Sequence, residues 1–549
     1  MRVLPRATIA ALVLSALAAT PAHAAPATSC DTPPTQRISQ VQGSGEASPL
    51  AGQTVRVEGV VTGDFQKSDQ LSGFFLQDPK PDSDPKTSEG LFAFARESVK
   101  DVKAGDRVLV TGKVTEFNGL TELSPVSAVD VCGTGAVAAL PYKLPVEESV
   151  EDMLLTFPQP LTVTEHYNLG RFGEVTLSEG GRLFQPTDRP GVPAHQGSLL
   201  VDDGSTRENP ATLPPIVRTG DSATAITGVL GYGFGSYRLE PTRPIDYQKT
   251  NPRPDKPAAV GGNVRVASMN TLNWFTTLGS RGASNAEELK RQLAKLVAAL
   301  KGLDADAVAL MEVENNGGAS VQALLDALGS GYAAIKHPYP GTDAIQVSII
   351  YKKAVLSPVG EARSSQDAVF SRPPLIQTFR RSGGGQPFTM VVNHFKSKGS
   401  CPSSGPDADQ GDGQSCWNPT RVKQAQAVLG LLADLPNPLV LGDLNAYGEE
   451  DPIHTLEQGG LASLTKRFVP APQRYSFLFD GLAGELDHAL AGHQLSKRVT
   501  GATIWHINSD EPRILDYNTE YNPPALYQPD AFRASDHDPL LIGLNLPGR

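Results

Sequence analysis

In the carboxy-terminal half of this chain, short apolar runs lead directly into polar motifs built from carboxylates, carboxamides and imidazoles. Val264-Arg265-Val266-Ala267 runs into Ser268-Met269-Asn270, and Ala307-Val308-Ala309-Leu310 into Met311-Glu312-Val313. Met390-Val391-Val392 runs into Asn393-His394-Phe395-Lys396, and Pro438-Leu439-Val440-Leu441 into Gly442-Asp443-Leu444-Asn445. Leu486-Asp487-His488 and Ser535-Asp536-His537-Asp538 complete the series. Short apolar runs of this kind read as buried strands. The pattern therefore requires a sheet whose strand ends collect polar groups at one rim. Such groups can hold a hard divalent cation, activate water and bind phosphate.

The amino terminus predicts export. Arg2 and Arg6 precede an apolar stretch over 7–19, and Ala22-His23-Ala24 offers a small-x-small cleavage site, so residues 1–24 read as a secretory signal peptide. The stretch is shorter than the ~20 residues of a spanning helix, and no later segment is long and apolar enough to be a membrane anchor. The expected location is secreted or periplasmic. Four cysteines in that setting predict disulfides. Cys30 with Cys132 and Cys401 with Cys416 are the natural pairs, although the sequence excludes none of the three pairings. The absence of any CxxC spacing argues against a zinc site. A net charge of -11 excludes capture of a polyanion by the overall field, leaving that task to metal ions and local Lys/Arg groups.

A chain of 549 residues exceeds one core and predicts about two to four domains. Five strand-like pieces at 55–61, 73–77, 91–94, 108–114 and 120–123 suggest an OB-fold-like β-barrel over 30–135. Phe74, Phe75 and Phe94 are its candidate base-stacking residues, against the plainer reading that they are core. Gly105-Asp106 and the run after it recur in altered form at Gly220-Asp221, either by chance or because 136–250 is a second β-rich, OB-like domain. Three prolines in Asn251-Pro252-Arg253-Pro254-Asp255-Lys256-Pro257 mark a linker over 251–262. From 263 to 549, helical patterns at 286–300, 321–328 and 420–433 alternate with apolar strands. This predicts an α/β arrangement of sheets between helices.

Asn270, Glu312, His394, Asp443 with Asn445, Asp487 and Ser535-Asp536-His537 stand in the order and context of the endonuclease/exonuclease/phosphatase superfamily, whose best-known member is pancreatic deoxyribonuclease. The chain resembles its secreted bacterial nucleases of the ExeM/NucH type over nearly the whole mature length. The supporting strings are Gly73-Phe74-Phe75-Leu76-Gln77-Asp78, Asn168-Leu169-Gly170-Arg171-Phe172-Gly173-Glu174, Asn393-His394-Phe395-Lys396-Ser397-Lys398 and Trp505-His506-Ile507-Asn508. The resemblance implies a four-layer αββα sandwich and cleavage of DNA, or RNA, with Mg²⁺, Ca²⁺ or Mn²⁺ as cofactor. The expected product is a monomeric enzyme with a nucleic acid as substrate.

Within that frame Glu312 is the expected metal ligand, with Asn270 and Asp536 beside it. A glutamate directly after a buried run is poorly placed for simple solvation. His537, oriented by Asp487, is the expected general base. Asp443 and Asn445, two apart after a strand, are expected to reach the water and a phosphate oxygen, with Gly442 clearing space for substrate. The plain alternative is an Asp/Asn turn. His394 is expected to hydrogen-bond the phosphate or protonate the leaving oxygen, with Asp343 as its partner. Lys396 and Lys398 are expected on the phosphate backbone. Asp538 reads as structural and Glu314 as part of an exposed loop. Asp407, Asp409 and Asp412 resemble a calcium loop but lack its terminal glutamate, so a solvated stapled loop is the simpler reading. A phosphodiesterase or phosphatase acting on a phospholipid or inositol phosphate is the alternative activity. A catalytically silent binding module is the third reading, disfavoured by the complete set of motifs.

Overall fold

The computed structural model of the protein describes residues 29–190, 197–209 and 215–546. The expected signal peptide over 1–24 lies outside the described residues. The chain is mixed α/β, rich in sheet and sparing in helix. Among the described residues no helix is long and apolar enough to cross a membrane.

Strands β1 (Thr54–Phe65), β2 (Gly73–Gln77), β3 (Gly90–Ala93), β4 (Asp106–Phe117) and β5 (Leu120–Thr134) close a barrel in the order β1-β2-β3-β5-β4. Side chains alternate along a strand, so Phe74, Leu76, Val108 and Val110 fill the interior. Phe75 and Phe92 face the other way, toward Val229 of the following domain. Of the three expected stacking residues, Phe74 and Phe75 are therefore core, and only Phe94 is exposed, at 40 %. Cys30 is bonded to Cys132 and Cys401 to Cys416.

The next eight strands lie between Leu140 and Pro241 and, among the described residues, form one sheet rather than a second closed ring. Barrel and sheet meet closely. A Cβ at Gly90 would lie 2.2 Å from the backbone of Asp152, so only glycine permits the approach. Phe92 N donates to Asp152 Oδ2 at 2.7 Å, and Leu154 N to Gln77 Oε1 at 2.8 Å.

Glu151 is fully buried at this junction, with Oε2 lacking a hydrogen-bond partner among the described residues. Burial, and then Glu148, raise its pKa to about 8. Between pH ~4.5 and ~8 the folded chain thus keeps a proton that the unfolded chain has released. Stability falls as pH rises through that window and levels off above it. Glu151→Gln is expected to remove this loss, raising the first thermal transition at pH 9 by about 5 °C and leaving it unchanged at pH 4. Calorimetry at the two pH values checks both the sign and the window.

Residues 264–544 build two six-stranded sheets. The first runs Tyr332–Ala334, Ile345–Lys352, Ala307–Glu314, Val264–Trp274, Leu540–Leu544, Val499–Ile504. The second runs Leu356–Arg363, Leu375–Arg381, Phe388–His394, Pro438–Asp443, Asp487–Gly492, Leu461–Ser463. Val264, Val266, Ala307, Ala309 and Met311 of the first sheet meet Met390, Val392, Leu439, Leu441 and Ala489 of the second in one core. Helices Ala286–Leu303 and Ala319–Leu328 pack on the outer face of the first sheet against Val308 and Leu310. Asn418–Leu431 and Asp451–Gln458 cover the second sheet against Val391 and Val440.

The middle domain is bound to this unit by buried charge. Arg182 Nη2 lies 2.8 Å from Asp510 Oδ1, and Thr219 Oγ1 donates to the same oxygen at 2.6 Å. Arg218 and Arg253 both pair with Glu511, Arg253 at 2.6 Å. Asp510 and Glu511 are fully buried. Although burial opposes ionisation of Asp510, Arg182, His506 and Arg218 hold its carboxyl well below the usual range.

Candidate active site

Strand alternation explains the convergence of the site. Val266, Met390, Val392, Leu439, Leu441, Ala489 and Ala491 all point between the two sheets. Stepping by two residues along the same strands puts Asn270, His394, Asp443 and Asp487 on those inner faces, at one end of the core. Glu312 has the wrong parity, since Ala307, Ala309 and Met311 already occupy the inner face. A register shift between Leu310 and Val313 and a φ of 60° at Glu312 break the alternation at this residue. A bulge of this kind re-aims one side chain. For a non-glycine residue it costs about 1–3 kcal/mol.

The resulting cluster is tight. Asn270 Nδ2 donates to Glu312 Oε1 and to Asp443 Oδ2, both at 3.2 Å, and Asn273 N donates to Glu312 Oε2 at 3.0 Å. Asp443 Oδ2 also lies 3.4 Å from His394 Nε2 and 3.8 Å from His537 Nε2. His537 Nδ1 donates to Asp487 Oδ2 at 2.7 Å, and Ser476 Oγ donates to the same oxygen at 2.8 Å. Asn445 N donates to Asp443 Oδ1 at 2.9 Å, and its side chain to Phe395 O at 3.2 Å.

The electrostatics are uneven. Burial alone would lower the His537 pKa, but Asp487, Asp443 and Asp536 outweigh it and hold the ring well above the ordinary histidine value. Burial, then Arg372 and His537, push His394 far below that value. Burial and then Asp536 raise Glu312. Burial lifts Asp443 to about 7 despite the opposing His537. The two neighbouring histidines are thus shifted in opposite directions, His537 by the carboxylates around it and His394 by burial and then Arg372.

One oxygen each from Glu312 and Asp443 and a ring nitrogen of His394 lie within 4.8 Å of one another. Two carboxylates and an imidazole suit a divalent cation. The raised carboxyl groups are those a cation would relieve, and His394 Nδ1 is buried without a hydrogen-bond partner among the described residues. The group shares Glu312 with the expected ligands Glu312, Asn270 and Asp536. Asn270 bridges the carboxylates, while Asp536 contributes no atom to the 4.8 Å group and acts on Glu312 and His537 through its charge.

The other expected residues make contacts of their own. Lys398 Nζ is held by both Glu450 oxygens, at 2.6 and 2.7 Å, and by Gln414 O, so its charge is already neutralised inside the protein. Lys396 lies over the Trp417 ring at 4.6 Å. Asp343 sits 3.8 Å from Arg281 rather than on His394, whose carboxylate neighbour is Asp443. A Cβ at Gly442 would fall 2.0 Å from Asn393 O, so this glycine permits close strand pairing rather than substrate approach. Asp538 accepts from Asn508 N, Ser509 N and His506 Nδ1, as a structural residue would. Glu314 is buried and accepts from Thr276 N and Ser320 Oγ, unlike an exposed loop residue. Asp407 caps Thr420, while Asp409 and Asp412 cap their own turns, consistent with a stapled loop.

Two contributors were not anticipated. Arg372 is buried and donates to the carbonyls of His394 and Phe395. Ser476 fixes Asp487. Only an arginine just ahead of the apolar run at 375 could have hinted at the first; nothing local marks the second.

Residues 263–537 match the Endonuclease/Exonuclease/phosphatase family. Residues 137–251 match a Domain of unknown function (DUF8508). No curated protein matches. Among similar solved structures are D. rerio TDP2 complexed with single strand DNA product (16% identity, 51% of this chain, 97% of that chain, TM-score 0.35) and the Bacteroides thetaiotaomicron VPI-5482 mannosyl-6-phosphatase Bt3783 (15%, 51%, 99%, 0.35). The human Nocturnin catalytic domain with bound sulfate is similar at 18% identity, 52% of this chain and 95% of that chain, with a TM-score of 0.34.

Proposed function

The chain belongs to the endonuclease/exonuclease/phosphatase family, and from that premise we propose that it is an exported, metal-dependent nuclease that hydrolyses phosphodiester bonds of DNA or RNA. The observation that carries this reading is the His537–Asp487 pair, bonded at 2.7 Å beside Glu312, His394 and Asp443.

In this reading Glu312, Asp443 and His394 hold the cation, and Asn270 keeps the two carboxylates in register. Mg²⁺ is the first choice, with Ca²⁺ or Mn²⁺ as alternatives. When bound, the cation supplies positive charge that polarises the phosphate and acidifies water. Asp487 accepts the hydrogen bond from His537 Nδ1–H, which leaves neutral Nε2 to take a proton from the attacking water. His394 is kept neutral by burial and Arg372, the state in which a ring nitrogen can hold the cation. Asn445 and Asp443 orient the water, Asp536 supplies negative charge on the metal side, and Lys396 lies near the substrate backbone.

The same proposal takes 263–549 as a four-layer αββα sandwich and 251–262 as the linker. It takes 30–135 as an OB-like barrel, 136–250 as the second β domain, and the whole as a monomeric ExeM/NucH-type enzyme. Two disulfides suit an oxidising compartment, and so the proposed export.

Plasmid, linear duplex, single-stranded DNA, RNA and sphingomyelin should each be incubated with the purified protein and Mg²⁺. Nucleic acid is expected to be cut, and chelation by EDTA to reduce the rate by about 10³-fold or more, since several kcal/mol of charge stabilisation leave with the metal. Sphingomyelin turnover without nucleic-acid cleavage would overturn the proposal in favour of a lipid phosphodiesterase.

A further inference from the structure

Beside the catalytic cluster lies a cavity of about 450 Å³ whose wall comes from two domains. This volume is within the ~300–1,000 Å³ range of small-ligand pockets. Asp536, the neighbour of His537, lines it, as do Arg513, Arg533 and Phe479 from the same domain and Tyr167 and Asn168 from the middle domain. Phe477 continues this wall to the reaction centre, with its ring 4.5 Å from that of His537.

The turn carrying Tyr167 is fixed to the catalytic unit by three hydrogen bonds across the domain junction. Gly481 N donates to Glu165 Oε2 at 2.8 Å, His166 Nε2 donates to Asp510 O at 2.9 Å, and Arg513 Nη1 donates to the Tyr167 hydroxyl at 2.8 Å. Glu165 Oε1 also accepts from Tyr167 N at 2.7 Å. Despite this anchoring, the Tyr167 ring is 59 % exposed, and Phe479 is 63 % exposed. Tyr167 is thus held in place and left open, and Phe479 is left open on the same cavity wall.

We infer that the middle β domain completes the substrate cleft: Tyr167 and Phe479 stack an unpaired nucleobase next to the scissile phosphate, with Arg513, whose guanidinium lies 5.3 Å from the Tyr167 ring centroid, and Arg533 on the same wall. The inference rests on the nuclease reading above and extends it to single-stranded nucleic acid as the preferred substrate. Aromatic stacking tolerates any base, because every base has a π-face. The subsite therefore confers a preference for unpaired strands without sequence preference.

The test compares wild type, Tyr167→Ala and Tyr167→Phe on an oligothymidylate and on a fully abasic strand of the same length. Tyr167→Ala is expected to raise KM on the oligothymidylate about ten-fold, to leave kcat within about two-fold because ground and transition states lose the same contact, and to leave the abasic strand unaffected. Tyr167→Phe keeps the ring and is expected to match wild type on both. Equal losses on the two strands, or no loss on the oligothymidylate, overturn the subsite while the nuclease reading stands. Wild-type cleavage of neither strand overturns the nuclease reading and the subsite with it. Unchanged circular dichroism and Tm exclude misfolding as the cause.

Discussion

Replacing His537 by asparagine is expected to lower kcat by about 10²–10⁴-fold, the usual contribution of a positioned general base. Asparagine keeps a donor for Asp487 Oδ2 but cannot accept a proton from water. His537→Ala should lose as much activity and also some stability, because buried Asp487 would keep its hydrogen bond from Ser476 but lose its ion-pair partner. Removing one member of a buried pair costs about 3–5 kcal/mol. Comparing kcat and Tm for the two variants separates chemistry from folding. The pH profile gives an independent check. Asp487, Asp443 and Asp536 hold the His537 proton above its ordinary range, and the base acts only when neutral. Wild-type kcat/KM should therefore rise toward alkaline pH, and the residual rate of His537→Asn should lack that limb. Wild-type-like turnover in either variant would remove His537 from the mechanism.

Glu312→Gln should have an effect of the same order, with the opposite sign on stability. Loss of the carboxylate charge is expected to weaken cation binding and lower kcat/KM by about 10³-fold, equivalent to about 4 kcal/mol. Burial and Asp536 both disfavour ionised Glu312, so the variant should melt higher in EDTA at pH 8 than wild type does. Wild type should gain Tm on adding Mg²⁺ by mass action, and the variant should not. A variant that keeps both full activity and the metal-induced Tm gain would exclude Glu312 as a ligand.

What could be read from the sequence follows from how far each signal is local. Buried strands announce themselves as apolar runs, so 73–77 coincides with β2, and the strand ends carrying Asn270, His394, Asp443 and Asp487 lie where the motifs place them. The helix expected over 286–300 runs to Leu303 because Asp304 takes the left-handed cap position, one turn beyond the last apolar residue in the pattern. β5 outruns its expected end at 123 because Pro125 reads as a stop, whereas irregular pairing with β4 around Gly112 carries the strand past it to Thr134. The grouping of side chains is harder to read. That an oxygen each of Glu312 and Asp443 and a ring nitrogen of His394 come within 4.8 Å of one another depends on the facing of two sheets and on a reversed φ at one residue, and neither leaves a mark in spacing. Lys398 shows the same limit, since its partner Glu450 lies 52 positions away.

The buried charges at Asp510 and Glu511 bear on any attempt to shorten this protein. Cutting at the proline-rich crossing would strip Arg182, Arg218 and Thr219 from Asp510 and both arginines from Glu511 if Arg253 left with them. The excised carboxy-terminal fragment would then carry two anionic groups in a site built to exclude water, and would soften there. The covalent seam at 251–262 is thus no guide to where the molecule can be divided, and an expression fragment that begins at Asn263 is a poor stand-in for the intact enzyme.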